Sequence, residues 1–280
     1  TAATVYEIVS GDDTATIDSV TGELTVIKAG VVEVKATNPG DDKYEEQSVT
    51  YILVIGKADQ SGFTFADGDV VSRTWDADFN TYTNAASGGE SVGEITYEVV
   101  GEIDEMPFGG PCAAFDSVSG TVTMYGKGSI TVKAIKAGDD CYNPVEIRYT
   151  LIISRAEQKG FGLDESVPAN VTYNDNGNEY VLDTVGGNGA GAVTYSIISG
   201  NVATINGNIL TVVRSGVVEI LAEKAETNTY EKTSCVTRLT VAKAAQTIAF
   251  EDTVTNSIIY GNAFSNKANP VADASVPDGL

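Results

Sequence analysis

Short stretches of alternating apolar and polar residues run along the whole chain. Val32, Val34 and Ala36 alternate along one such stretch. Glu33 and Lys35 lie between them, so the two sets point to opposite faces of an extended strand. Val, Ile, Thr and Tyr dominate these stretches, and these residue types suit a pleated, half-buried surface. No helical period extends beyond a single turn. The pattern therefore predicts an all-β protein.

This pattern repeats along the chain. A Lys/Arg-Ala-x-Gln mark begins at Lys57, Arg155 and Lys243, and its glutamines are 98 and then 88 residues apart. Other landmarks follow with the same steps: Tyr44, Tyr142 and Tyr230, and Gly30, Gly128 and Gly216. Self-similarity at a fixed step is the sequence signature of a repeat architecture. We therefore expect the chain to contain several copies of one structural unit of about 90 residues.

The marks divide the chain into four segments. Residues 1–57 are the later part of a repeat, 58–155 and 156–243 are complete repeats, and 244–280 are the first strands of a further one. The second repeat has extra length between Tyr97 and Gly128. That length falls near residues 101–111, and insertions in repeats usually fall in loops. We therefore predict an inserted loop there.

Turn residues separate the strand-like stretches. Thr21-Gly22, Ser119-Gly120 and Asn206-Gly207 occupy equivalent places between two strands, where a tight hairpin needs residues that tolerate a positive φ. About seven short strands in each 90 to 100 residues predict an immunoglobulin-like β-sandwich. The chain is thus predicted to be an elongated array of such sandwiches in tandem.

A family resemblance rests on several short runs. These are Val-Thr-Tyr-Ser (193–196), Gly-Val-Val-Glu-Ile (216–220) and Val-Ala-Lys-Ala-Ala-Gln-Thr-Ile-Ala-Phe (241–250). They resemble the bacterial immunoglobulin-like (Big-type) tandem repeats of long cell-surface and secreted proteins, and the similarity covers the whole chain. The resemblance implies an extracellular spacer, stalk or filament segment. The chain departs from it at Trp75, where the other repeats have Tyr173 and Tyr260, and at the insertion.

Charge and composition exclude several function classes. The 280 residues include 17 Lys and Arg, 39 Asp and Glu and no His, giving a net charge of −22. Such a surface repels nucleic acid and anionic lipid head groups, and no apolar run reaches the length of about 20 residues that membrane insertion needs. Nucleophile-elbow and phosphate-loop motifs are also missing. We therefore predict no catalytic residues, no bound cofactor and no enzymatic activity.

Pairs of acidic residues recur in one loop. Asp41-Asp42 and Asp139-Asp140 lie just before Tyr44 and Tyr142. Carboxylate oxygens from loops suit Ca²⁺, which makes these four residues candidate metal ligands. Acidic residues are also common in turns, where their side chains bond nearby backbone. Both interpretations stay open at the level of the sequence.

Aromatic residues provide candidate binding positions. Tyrosines that recur in register (Tyr6, Tyr97, Tyr195; Tyr44, Tyr142, Tyr230) are predicted to pack in the cores, with hydroxyls reaching backbone. The irregular second repeat is the better place for recognition, through Trp75, Met106 and Phe108, because function favours variable loops. An adhesive or carbohydrate-binding module is therefore the alternative to a spacer.

The two partial repeats raise a question about partners. Segments 1–57 and 244–280 together have about the length of one repeat. The chain is then either an excerpt of a longer array, with neighbouring repeats as its partners, or it is completed head to tail by strands of another chain.

Overall fold

The computed structural model describes residues 3–165, 167–174, 178–250 and 268–272. Every regular element in this part is a β-strand, and the strands form sandwiches of immunoglobulin-like type in which most pairs are antiparallel. The predicted fold class is confirmed. The chain divides into two compact units, Thr1–Ala156 and Glu157–Leu280, which are described separately below.

The first unit begins with five strands that correspond to the later part of a repeat. They are β1 (Val5–Ser10), β2 (Ala15–Ile17), β3 (Leu24–Val26), β4 (Gly30–Asn38) and β5 (Gln47–Ile55). β1, β4 and β5 form one sheet in that order, and β2 and β3 form a hairpin. β4 and β5 pair without interruption from Gly30↔Ile55 to Asn38↔Gln47. The small core of this part is Ala15, Val32 and Val34.

Nine further strands of the first unit belong to the second repeat. They are β6 (Thr64–Phe65), β7 (Val70–Thr74), β8 (Thr81–Thr83), β9 (Ala86–Ser87), β10 (Ile95–Val99), β11 (Ala113–Asp116), β12 (Thr121–Met124), β13 (Gly128–Lys136) and β14 (Val145–Ser154). One sheet has the order β10-β13-β14-β7 and the facing one β11-β12-β8. Because β14 alternates, Tyr149, Leu151 and Ile153 are fully buried between the sheets.

The second unit contains the third repeat and the strands that follow it. They are β15 (Gly162–Leu163), β16 (Asn170–Thr172), β17 (Asn178–Val181), β18 (Thr184–Val185), β19 (Val193–Ser199), β20 (Ala203–Asn206), β21 (Ile209–Val212), β22 (Gly216–Lys224), β23 (Thr233–Ala242), β24 (Gln246–Phe250) and β25 (Ala268–Ala272). The sheets β16-β23-β22-β19 and β17-β21-β20 enclose a core that includes Leu210, Ile220 and Leu239. Tyr260 lies outside the described residues.

The last long strand of a repeat pairs with an early strand of the same repeat in parallel. β14 pairs with β7 over Thr150–Ser154, and β23 pairs with β16 over Thr240–Ala242. β5 is the equivalent strand of residues 1–57, and it is an edge of its three-stranded sheet. Tyr51 on β5 is consequently 50% exposed, whereas its equivalent Tyr149 is 1% exposed.

The predicted hairpin glycines have positive φ. Gly22, Gly120 and Gly207 have φ values of 74°, 70° and 62°, a region that residues with a Cβ rarely adopt. The rings of Tyr6 and Tyr97 lie against the first two of these glycines, and a Cβ added there would be 3.1 Å from the ring. The hairpin prediction is confirmed, and the structure adds the aromatic contact.

The inserted segment of the second repeat forms a small closed loop. Glu105 and Pro111 form an antiparallel bridge. Inside it, the N–H of Met106 donates to the Gly110 carbonyl at 2.8 Å, and the N–H of Gly109 donates to the Met106 carbonyl at 2.9 Å. The insertion is therefore a loop, as expected, and backbone hydrogen bonds hold its shape.

Candidate functional site

The acidic loop of the second repeat is a turn closed by the Asp139 side chain. Oδ1 of Asp139 accepts hydrogen bonds from the N–H groups of Cys141 and Tyr142 at 2.9 and 3.0 Å, and Oδ2 accepts one from Val92 at 3.0 Å. These bonds, with the one from Cys141 as the largest cause, hold the pKa of Asp139 below its ordinary value. Both carboxylate oxygens of Asp139 thus accept hydrogen bonds from backbone N–H groups.

The same turn recurs in the other repeats. Asp41 accepts from the N–H groups of Lys43 and Tyr44 at 2.9 and 3.1 Å. In the third repeat the hydroxyl of Thr227 replaces the aspartate carboxylate and accepts a hydrogen bond from the N–H of Tyr230 at 3.0 Å. A threonine hydroxyl makes the same kind of turn as a carboxylate but is a weak ligand for Ca²⁺. Turn formation is what these positions share.

The four candidate metal ligands do not converge. Across the described ranges no group of three or more His, Cys, Asp or Glu side chains is placed to hold a metal ion. Asp41 and Asp139 face the backbone of their own turns, and Asp42 is exposed. Asp140 contributes its backbone carbonyl to a different contact, which joins two repeats.

Within the first unit, the Asp139 turn contacts the first repeat directly. The carbonyl of Asp140 accepts a hydrogen bond from the N–H of Ala29 at 3.0 Å, and the carbonyl of Cys141 accepts one from Ala58 at 2.9 Å. The Sγ of Cys141 lies 3.4 Å from the Ile27 carbonyl. Backbone groups of both repeats thus meet at a joint, defined here as residues 27–29, 58 and 139–142.

The recurring glutamine fastens the start of each complete repeat to two of its loops. Oε1 of Gln60 accepts from the N–H of Ser91 at 3.0 Å, and its Nε2 donates to the Asn143 carbonyl at 2.7 Å. Gln158 makes the equivalent bonds to Gly189 and Glu231, at 3.1 and 2.8 Å. From the sequence alone this glutamine is only a boundary mark between repeats. Its exact recurrence was the signal that it has a structural role.

The three candidate partner-binding residues lie in different environments. Trp75 and Met106 are half-buried and pack against the core of the second repeat. Phe108 is 61% exposed and lies on the turn between Met106 and Gly110. Of the three, only Phe108 presents most of its side chain to solvent.

The third repeat has an open groove where the other two repeats have a packed ring. It has a volume of about 720 Å³ and runs along β19, with Tyr195, Ile197, Ile205, Gly207 and Asn208 among its lining residues. No atom lies within 4 Å of a Cβ added at Gly207. The hairpin of this repeat thus lacks the ring-to-glycine contact of Gly22 and Gly120.

The part of the chain that the structure describes contains no helix long and apolar enough to cross a bilayer.

Comparisons with known proteins give structural similarity only. No family model and no curated protein sequence matches the chain. The crystal structure of Drosophila N-cadherin EC1-3 is similar, with 15% identity, a TM-score of 0.35 and coverage of 87% of this chain and 90% of that chain. The protocadherin GammaB4 extracellular domain has 11% identity and a TM-score of 0.33, covering 85% and 45%. Sidekick-1 immunoglobulin domains 1-5 have 13% identity and a TM-score of 0.28, covering 86% and 52%. Values this low transfer no function.

Proposed function

We propose that the chain is a structural spacer, a stalk or filament segment of an extracellular surface protein built from tandem immunoglobulin-like repeats of the Big type. The observation that carries this proposal is the joint within the first unit. β5 ends at Ile55, and Ala58, the first residue of the next repeat, already hydrogen-bonds the Asp139 turn of that repeat. Only two residues separate the last strand of one repeat from the first contact of the next.

A short connection with backbone contacts suits a spacer because it limits bending between neighbours. The Asp139 turn accepts a hydrogen bond from Ala29 of the first repeat and another from Ala58, which directly follows the connection. The second and third repeats each have a core of their own, which suits units that fold as separate segments of a spacer. The net charge of −22 keeps such segments apart in solution. These observations together also support the part of the proposal that assigns the chain a non-enzymatic role.

The joint is testable by hydrogen exchange of the Ala29 and Ala58 amides. A spacer with a fixed joint protects both amides from exchange. Asp139→Ala removes the side chain that closes the turn, and we expect exchange at both amides to become at least tenfold faster. Asp41→Ala is the matched control, because it opens the equivalent turn of the first repeat and leaves the joint intact. Unprotected amides in the unmodified chain would contradict a fixed joint.

An adhesive or carbohydrate-binding module is the second candidate, and the exposure of Phe108 favours it. Aromatic side chains contribute strongly to recognition surfaces, and Phe108 is held out on a hydrogen-bonded loop. A glycan array and a cell-binding assay compare the chain with Phe108→Ser. Binding that disappears in this variant would favour adhesion. Retention of binding by Phe108→Ser, or no binding by either protein, would remove this candidate.

Calcium is tested separately at the acidic turns. Three backbone N–H groups already donate hydrogen bonds to the Asp139 carboxylate. We therefore expect the melting temperature to be the same in millimolar Ca²⁺ as in the presence of a chelator. A clear rise in melting temperature that Asp139→Thr abolishes would instead establish a site at Asp139. Thr is the informative replacement because Thr227 closes the same turn in the third repeat.

A further inference from the structure

β19 is an edge strand of the third repeat that lacks the charge found on its equivalents. It pairs with β22 on one side only, and its residues include no charged residue and no proline. The equivalent strands β1 and β10 carry Glu7 and Glu98, each in an ion pair with a lysine of the neighbouring strand. In the third repeat Ser196 replaces these glutamates and lies opposite Leu221. Natural proteins usually protect strand edges with charges, prolines or bulges, because an unprotected edge pairs with another chain.

The outer edge of β19 presents backbone donors and acceptors along its regular part. β19 pairs with β22 without interruption from Val193 to Ile197, and a bulge follows. Tyr195 has the same register position as Tyr6, whose N–H points away from the partner strand and donates to the Ser19 carbonyl at 3.0 Å. Hydrogen-bonded and non-hydrogen-bonded positions alternate along an antiparallel pair. The N–H groups of Val193, Tyr195 and Ile197 therefore all point to the outer edge.

A short hairpin leaves this edge open. Six residues, 18–23, connect the paired residues Ile17 and Leu24 in the first repeat, whereas four residues, 206–209, connect Ile205 and Leu210 in the third. Within the described ranges of the third repeat, no backbone carbonyl accepts a hydrogen bond from the outer edge as the longer hairpin does in the first. The space beside the short hairpin is the groove of about 720 Å³ along β19.

The first repeat shows which chemistry fills this space. There a backbone carbonyl accepts from the edge N–H of Tyr6, and the backbone of Gly22 lies so close to the tyrosine ring that an added Cβ would be 3.1 Å from it. The corresponding ring of Tyr195 lines the groove of the third repeat, and Gly207 has no atom within 4 Å of an added Cβ. A backbone segment from another molecule would restore both contacts.

Charge selects among such segments. None of the described lining residues of the groove is charged, and the chain as a whole has a net charge of −22. An acidic segment would be repelled and would find no cation in the groove, whereas basic residues beside the bound segment would be attracted. Alternate residues of an added strand face the same side, so apolar residues at every second position would contact Ile197 and Ile205 in the groove.

We infer that the β19 edge of the third repeat binds an extended peptide segment of a partner protein by strand addition, and that this segment has alternating apolar residues and basic flanks. Main-chain hydrogen bonds along the edge provide affinity in this mode of recognition, and pockets for alternate side chains provide specificity. The inference goes beyond the spacer role, because it gives one repeat of the array a binding function that its equivalents lack.

NMR titration of the 280-residue chain with a synthetic peptide tests the inference. The peptide alternates Val and Thr over five positions and has two lysines at each end. We expect it to shift the β19 amide signals and to protect the amides of Val193, Tyr195 and Ile197 from exchange. A proline at the central position of the peptide removes a main-chain donor and should weaken binding at least tenfold. Glutamates in place of the four lysines should weaken it by a similar factor.

Two variants of the protein cover or alter the edge. Replacing residues 206–209 by Asp-Ser-Val-Thr-Gly-Glu, the sequence of residues 18–23, supplies the longer hairpin, and we expect it to weaken binding at least tenfold. The two added acids attract a basic peptide, so this loss has no electrostatic explanation. Val193→Pro removes one outward donor at the first residue of β19, where proline is tolerated, and should also weaken binding at least tenfold. Val193→Ala keeps the donor and should change binding less than threefold.

Several results would overturn the inference. They are a peptide that does not bind at millimolar concentration, binding that the central proline leaves unchanged, and binding that neither the longer hairpin nor Val193→Pro weakens. A neutral oligosaccharide, a hexamer of β-1,4-linked glucose, that shifts the β19 amides while the peptide does not would assign the groove to a glycan instead. The peptide series uses the unmodified chain and does not depend on how stably the variants fold. None of these results affects the exchange of the Ala29 and Ala58 amides, so the spacer proposal is tested independently.

Discussion

At the scale of single residues, Tyr149 has a polar atom in an apolar core. Its side chain is 1% exposed, and its hydroxyl has no hydrogen-bond partner within the described residues. Burial raises its pKa to about 12. A buried hydroxyl without a partner costs free energy that a phenyl ring does not. We therefore expect Tyr149→Phe to raise the free energy of unfolding of the second repeat by about 1 kcal/mol.

Tyr97→Phe is the matched control for this prediction. The Tyr97 hydroxyl accepts a hydrogen bond from the N–H of Ala86 at 3.2 Å, so its removal should lower the same free energy by about 1 kcal/mol. Urea unfolding followed by fluorescence of Trp75, the single tryptophan, reports on this repeat. Equal destabilisation by both substitutions would mean that the Tyr149 hydroxyl is satisfied in solution.

The sequence predicted some of these tyrosines and not others. Recurrence in register correctly placed Tyr97 against the core with its hydroxyl on backbone. The same argument was wrong for Tyr44, which is 68% exposed. Its equivalent Tyr142 is half-buried and bridges Ala58 at the opening of its repeat. Register predicts a position in the fold, whereas burial depends on which strands surround it.

At the scale of strands and turns, the hairpin glycines give a comparison between repeats. Gly120 and Gly207 both have positive φ, so an alanine at either costs about 1 kcal/mol in backbone strain. At Gly120 the new methyl group would also lie 3.1 Å from the Tyr97 ring, and crowding of this kind costs about 1–3 kcal/mol more. We therefore expect Gly120→Ala to destabilise its repeat clearly more than Gly207→Ala destabilises the third.

Hydrogen exchange of the adjoining strands measures both effects in one experiment. Amides of β12 report on Gly120→Ala and those of β21 on Gly207→Ala, each relative to the unmodified chain. Adding Tyr97→Leu to Gly120→Ala should recover part of the loss, because it removes the ring from the glycine. Equal losses of stability from the two glycine substitutions would show that the contact with the Tyr97 ring does not affect stability.

The recurring glutamine supports a second prediction at this scale. Gln60→Met keeps the size of the side chain and removes its hydrogen bonds to the Ser91 N–H and the Asn143 carbonyl. We expect a loss of about 1–3 kcal/mol, the cost of leaving buried polar groups without partners. Trp75 fluorescence during urea unfolding measures it. Ser61→Ala, next in the chain, is the control for a surface hydrogen bond and should cost less than Gln60→Met.

Strand positions and turns were predictable from the sequence, but part of the topology was not. Alternation and hairpin glycines are local signals, and they located β4, β5, β13, β14, β22 and β23. The parallel pairs β7–β14 and β16–β23 join residues about 70 to 80 positions apart through short strands. Local pattern does not encode such pairing. The hydrogen bonds of the Gln60 side chain could not be predicted for the same reason, because their two partners lie in loops that are distant in the sequence.

For the whole molecule, charge and individual carboxylates act in opposite directions as the pH falls. Because the chain has 39 Asp and Glu, no His and a sequence pI of about 4.1, self-repulsion changes little just below pH 7 and weakens as the carboxylates take up protons toward the pI. The pKa of Asp18, Asp116 and Asp139 is lowered, by hydrogen bonds chiefly from the Thr21 N–H, the Ser119 hydroxyl and the Cys141 N–H. A lowered pKa stabilises the folded state above the unfolded value of 3.8, and this contribution is lost as the pH falls further.

The two effects together predict a maximum of stability in mild acid. At low ionic strength we expect the melting temperature to rise from pH 7 to about pH 5 and to fall below about pH 4. Roughly 1 M NaCl shortens the Debye length to about 3 Å, so it should remove the rise and leave the fall. Replacing Asp18, Asp116 and Asp139 by Asn should reduce the fall, because Asn keeps an acceptor oxygen and does not titrate. A rise that persists in high salt would show that it does not come from long-range repulsion, and an undiminished fall in the triple variant would assign it to other carboxylates.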